Sequence, residues 1–225
     1  MEDYTVIPIR RGLLIPGGGG GAGLAIDIAT ASTATGAGAS VSWNHTTSGT
    51  DRAMIVGAGG YQTDATQGVC TYNSDPMTAV DRIASDNQSQ VLEMFKISNP
   101  DTGGSYAVEW TPDSSKDELF GIAVSFTGAH QTVGSLTGTA VQETNCTTGL
   151  SVSSAVGEIV IDIAGAYTNA AFATNDGGMT LQDENDFAAQ ATGAMATAVG
   201  ATSVTMDWAA TNPAGHIGVS VKPAP

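Results

Sequence analysis

The sequence predicts an all-β protein: an antiparallel β-sandwich of jelly-roll or immunoglobulin-like type over residues 24–225, led by an extended arm and glycine tether over residues 1–23. Three observations predict it. From Leu24 onward apolar residues recur at every second position, the period of half-buried strands. Turn formers break these runs at short intervals, as in sandwiches and barrels. The leading segment instead carries apolar residues broken by Pro8 and Pro16, and closes on the glycine run that starts at Gly17.

In the arm, the prolines fix φ and remove backbone donors, so Val6, Ile7, Ile9, Leu13, Leu14 and Ile15 cannot lie on a regular helix. They read as apolar anchors on an extended segment, joined to the body by a flexible hinge. The glycines do not form a phosphate-binding loop. Leu24-Ala25-Ile26-Asp27-Ile28 follows them, with no lysine and no helical start. Ordering such a tether costs about 1–2 kcal/mol per residue. Burial of the anchors, at about 1.5–3 kcal/mol each, offsets this only against an apolar surface. The expected surface is a neighbouring subunit, the alternative being the chain's own body. Arg10 and Arg11, the only adjacent cations, would meet acids there. The expected assembly interface is therefore Val6, Ile7, Ile9, Arg10, Arg11, Leu13, Leu14 and Ile15.

The body follows in order. Val41-Ser42-Trp43-Asn44-His45 alternates, with Trp43 placed between sheets, and Met54-Ile55-Val56 reads as a central strand buried on both faces. Cys70 sits in a further strand. Tyr106, Val108 and Trp110 share one face of the next, and Phe120, Ile122, Val124 and Phe126 share one face of another. Later strands are expected at Ile159 to Ile163, at Val204, Met206 and Trp208, and at Ile217, Val219 and Val221. The turns are Asn99-Pro100, Gly103-Gly104, Pro112-Asp113, Asp176-Gly177-Gly178 and Asn212-Pro213. The alanine-rich stretch 188–201 reads as loop and strand, since Gly193, Gly200 and several threonines weaken a helix. No repeat of solenoid or propeller period is evident.

Charge excludes several classes. Lys plus Arg total 7 against 22 Asp plus Glu, a net charge of -15. Phosphate neutralisation needs clustered cations, so no nucleic-acid partner is expected, and an anionic membrane surface is equally disfavoured. No apolar run reaches the length of a membrane span. MEDYTVIPIRRG places acids first and arginines after its apolar patch, which is not a secretory signal, so synthesis in a cytoplasm is expected. Cys70 and Cys146 permit at most one bridge, and buried free thiols are the expected state.

Chemistry-bearing patterns are sparse. His45, His130 and His216 form no zinc spacing, and no nucleophile elbow is present, so no enzyme activity and no cofactor are expected. The loop TNDGGMTLQDENDF offers Asp176, Asp183, Glu184 and Asp186 as calcium candidates, against the plainer reading of a solvated acidic face. Trp43, Trp110 and Trp208 are expected in the core, the alternative being a sugar platform. Arg52 is expected to pair with an acid at one end of the sandwich.

The order SVSWNHTTSGTDRAMIVGAG, VCTYNSDPMTAV, VLEMFKISNPDTGGSYAVEW and ELFGIAVSFTGA resembles a β-sandwich domain recurring in tailed-phage structural proteins and secreted bacterial surface proteins. The resemblance spans roughly residues 25 to 222. Asn73-Ser74-Asp75 stands where that pattern has a glycine turn. The resemblance implies no enzyme chemistry. It implies a virion protein, a phage capsid decoration or cement subunit or else a tail component. Its partners would be other copies of itself, or a major capsid or tail protein. A module binding a host glycan, or a filament subunit using strand addition, are the alternatives.

Overall fold

The computed structural model describes residues 23–61, 66–85, 90–114, 116–167, 171–175, 178–185 and 191–225, and every regular element among them is a strand. In chain order these are β1 (Ala25–Gly38), β2 (Val41–Thr46), β3 (Ala53–Tyr61), β4 (Val69–Tyr72), β5 (Asp75–Pro76), β6 (Thr78–Ser85), β7 (Gln90–Ser98), β8 (Ser105–Thr111) and β9 (Lys116–Thr127). The second half adds β10 (Val141–Glu143), β11 (Leu150–Ser153), β12 (Ile159–Tyr167), β13 (Ala173–Thr174), β14 (Met179–Asn185), β15 (Ala191–Val199), β16 (Ser203–Met206), β17 (Trp208–Ala209) and β18 (Pro213–Val221). All their pairings are antiparallel. The all-β antiparallel class expected from period and turns is therefore what the chain adopts.

The strands stack in four layers. A five-stranded sheet, β1-β9-β3-β7-β6, faces a second five-stranded sheet, β10-β18-β12-β15-β14. Outside the first lies the sheet β2-β8-β4-β5, and outside the second lie the pairs β11-β16 and β13-β17. Three apolar cores fill the gaps. Ile55, Phe120, Ile122, Ile161, Ile163, Met195 and Ile217 belong to the central one, between the five-stranded sheets. Trp43, Met54, Val56, Phe95 and Trp110 belong to the first outer core, and Val160, Ala164, Met206 and Trp208 to the second. Both faces of β3 and β12 are covered, so these strands are buried almost throughout rather than alternating. Only outer strands such as β2 alternate buried and exposed.

The two halves repeat one topology. Read in chain order, β1, β9, β3, β7 and β6 of the first half hold the places of β10, β18, β12, β15 and β14 of the second. The registers agree over Ala53 to Ala58 and Ile159 to Ala164, beyond which β12–β18 shifts and β3–β9 does not. Ala53 opposes Phe126 and Ser98 where Ile159 opposes Val221 and Val199. One irregularity is shared: β6 has a bulge between Ala79 and Asp81, and β14 has one between Leu181 and Asp183. In each, the aspartate Oδ1 accepts the N–H of the next residue, at 2.8 Å from Arg82 N and 2.9 Å from Glu184 N. Short identities then align: Ile55, Ala58, Gly59 and Tyr61 with Ile161, Ala164, Gly165 and Tyr167, and Met77-Thr78 with Met179-Thr180. The matched Tyr61 and Tyr167 touch, with ring centroids 5.4 Å apart. Such self-matching contacts are those of an approximate two-fold relation between halves that share one central core.

Local details follow from residue chemistry. The hairpin between β4 and β5 turns on Asn73 and Ser74 at φ 50° and 71°. Both central residues thus take the left-handed region that two-residue hairpins need, here without a glycine. The stretch read as loop and strand becomes β15, whose alanines and glycine let neighbouring layers close in. A Cβ on Gly193 would overlap the Phe120 ring. The single strand expected across Val204, Met206 and Trp208 is instead broken at Asp207. There β16 leaves to pair with β11, and β17 with β13.

Candidate functional site

Three places gather polar chemistry. The first lies where β1, β2 and the turn after β2 meet. The Trp43 indole N–H donates to Thr30 Oγ1 at 3.2 Å, and that hydroxyl lies 2.8 Å from His45 Nδ1. An indole N–H only donates, so the Thr30 oxygen accepts from Trp43 and its own hydrogen is free for the imidazole. His45 is 1% exposed, and burial lowers its pKa to about 4, against an opposing pull from Asp27. Among the described residues its Nε2 finds no partner. Nearby, the Asp27 carboxylate accepts from Ser48 N and Ser48 Oγ at 2.7 Å each, and from Ser125 Oγ at 3.3 Å. This cluster fastens β1 to its neighbours. A buried imidazole held neutral down to so low a pH is a weak base for activating the Thr30 hydroxyl.

The second place is in the other half. His216 and Asp162 are fully buried, with Nδ1 2.9 Å from Oδ2. His216 Nε2 lies 3.1 Å from the Thr148 carbonyl oxygen. A carbonyl only accepts, so Nε2 carries a hydrogen, and one proton is shared between Nδ1 and the carboxyl. The pair as a whole is therefore neutral. Burial pushes the Asp162 carboxyl up, and the hydrogen bond and charge of His216 pull it back. Burial, with a further push from Asp162, raises the Cys146 thiol in the same core to about 12, so no thiolate is available at neutral pH. Cys70 is likewise buried and raised. Both cysteines are free.

The third is a buried acid in the first half. Glu93 accepts from Gly68 N at 2.9 and 3.1 Å and from Trp110 Nε1 at 2.8 Å, and its Oε1 lies 3.5 Å from Arg82 Nε. Trp110 thereby spends its donor inside the core. Trp43, Trp110 and Trp208 are all buried, at 8%, 0% and 0% exposure, which leaves no exposed tryptophan platform.

The sequence-predicted sites fare unevenly. The interface residues Val6, Ile7, Ile9, Arg10, Arg11, Leu13, Leu14 and Ile15 lie outside the described residues, as do Asp176 and Asp186. Asp183 and Glu184 are consecutive on β14, and the Asp183 carboxylate is engaged in holding the bulge. Among the described residues no group of three or more His, Cys, Asp and Glu is placed to hold a metal ion. Arg52 pairs with no acid among the described residues. Its guanidinium reaches Pro100 O at 2.9 Å, Gly49 O at 3.0 Å and Asn99 Oδ1 at 2.7 Å, stapling two loops that need donors more than charge. The buried Asp162–His216 pair was missed because its members sit on different strands. Only the aspartate amid Ile159-Val160-Ile161-Asp162-Ile163 marks it in the sequence.

No known protein family matches the chain, and neither a curated protein nor a solved structure does.

Proposed function

We propose that the chain is a structural subunit of a virion, a phage capsid decoration or cement protein or else a tail component. In this reading it is made in the host cytoplasm, has no catalytic role, and binds neighbouring subunits through residues 1–23. The observation that carries it is the strand order. In each half five strands face a smaller outer set: the first half sets β1, β9, β3 and β7 side by side with β2, β8 and β4 opposite, and the second sets β10, β18, β12 and β15 side by side with the pairs β11-β16 and β13-β17 opposite. That order supports the jelly-roll type, an architecture used by capsid and lectin domains alike. Between those two uses, the burial of all three tryptophans favours the capsid reading over the glycan one.

The mechanism is adhesive. Two halves locked by one central core make a stiff block, with net charge -15 for the chain keeping free copies apart. An arm that reaches a neighbour makes its contact intramolecularly once the body is seated, which multiplies avidity without enlarging the body's own interface. The test is deletion of residues 1 to 22. A folded, soluble body by circular dichroism that no longer associates or joins particles is the expected result. Normal assembly of the truncated chain would refute the role given to the arm.

A further inference from the structure

The matched halves act as an internal control for the sheet edges, and one edge stands apart. The central sheets end in four edge strands: β1 and β6 in the first, β10 and β14 in the second. Open edges invite foreign strands, and proteins blunt them with bulges, charges or shortness. β6 and β14 each carry a bulge with an aspartate at it and a charged residue next, Arg82 or Glu184. β10 is only 3 residues long. β1, which holds the place of β10, runs for 14 residues, with Asp27 its one charged side chain. Its pairing to β9 is regular from Ala29 to Thr35, between two register shifts.

We infer that this edge of β1 is an acceptor for strand addition, and that its occupant is residues 9 to 15 of a second copy. Three features select that segment. Pro8 and Pro16 bound a proline-free run, Ile9-Arg10-Arg11-Gly12-Leu13-Leu14-Ile15, of the same length as the regular part of β1. β14 lies against β1 in the facing sheet, and its Asp183, opposite the central-core residue Met195, is on the side toward β1, so an acid lies beneath the acceptor edge where the arm is cationic. An added strand turns one of the two adjacent arginines toward that layer, because neighbours alternate faces. Finally, residues 9 to 15 precede β1 in the same chain, so every copy carries both the acceptor edge and the proposed donor. Assignment to a second copy, rather than the same one, rests on the arm function proposed above.

Cysteine cross-linking of the full chain tests it, since Cys70 and Cys146 are buried. Chains bearing Gly12→Cys are mixed with chains bearing Ser32→Cys and oxidised. A covalent dimer is expected, with none when Ser32→Cys is replaced by Gln142→Cys on the β10 edge. A link within one chain carrying both changes, persisting on dilution, would overturn the second-copy assignment. Equal linking to both edges would overturn the choice of β1.

A second measurement needs no cysteine. Hydrogen exchange of residues 29 to 35 is compared between the wild type and Leu13→Asp/Ile15→Asp. Amides facing away from β9 are expected to exchange faster in the variant by more than about tenfold. Unchanged exchange, in a variant that nonetheless fails to assemble, would sink the edge assignment and leave the arm's broader role standing.

Discussion

His45 is the residue whose placement has the plainest consequence for stability. Its pKa falls from 6.5 to about 4 on burial. A base with a depressed folded pKa binds fewer protons folded than unfolded, so its contribution is complete above about pH 6.5 and is lost as pH falls toward 4. The full loss is on the order of 3 kcal/mol. Melting temperature measured against pH for wild type and His45→Gln should show the wild type losing ground to the variant between those limits. Parallel curves would contradict the assignment. Asp162 works in the opposite sense, its raised pKa favouring the folded state more as pH falls toward its unfolded value. Comparison with the variant removes that term. At this scale much was legible. Trp43, Met54 and Trp110 are core because they alternate with small polar residues or sit in unbroken apolar runs. Arg52 was misread because a sequence shows acids near in number but not the loop carbonyls that surround a guanidinium in space.

Among the elements, β3 and β12 hold the molecule together, crossing at the approximate two-fold where Gly57 matches Ile163. A Cβ added to Gly57 would stand 2.9 Å from Ile163 Cβ and overlap its Cδ1. Gly57→Ala is therefore expected to cost about 1–3 kcal/mol or more in denaturant unfolding. Trimming the partner by Ile163→Ala in the same chain should recover part of that loss. Additive costs would show that the sheets do not approach as described. The paired bulges give a matching check. Asp81→Ala and Asp183→Ala each strip the acceptor from the next residue's N–H, and each should cost about 1 kcal/mol. Strand positions were readable from period two and from Asn-Pro and Gly-Gly turns. The repeat between halves was not, because strands tolerate any apolar residue that fits. Ala53 matches Ile159 and Gly57 matches Ile163, so only scattered identities such as Met77-Thr78 and Met179-Thr180 survive. Register, which the sequence does not display, is what makes them align.

For the whole molecule, stacked sheets joined by a shared core give a block with little capacity to deform, and the buried polar groups are spent on holding it. Glu93, Asp162 with His216, and the Asp27 cluster all bind strands or loops of the same chain. In the proposed function a partner meets the exterior: an acidic surface, the β1 edge, which is the longest edge strand among the described residues, and the proposed arm that precedes it. The candidate chemistry visible in the sequence was the arm's composition. The edge proposed for it became visible only once the strand order showed which ladders end without a neighbour among the described residues. The most direct measurement is hydrogen exchange at the amides of Ile9, Arg10, Arg11, Gly12, Leu13, Leu14 and Ile15 in the full chain, across a range of protein concentration. Protection that grows with concentration is the result this account predicts. Protection that is the same at every dilution, or none at the highest concentration, would contradict it.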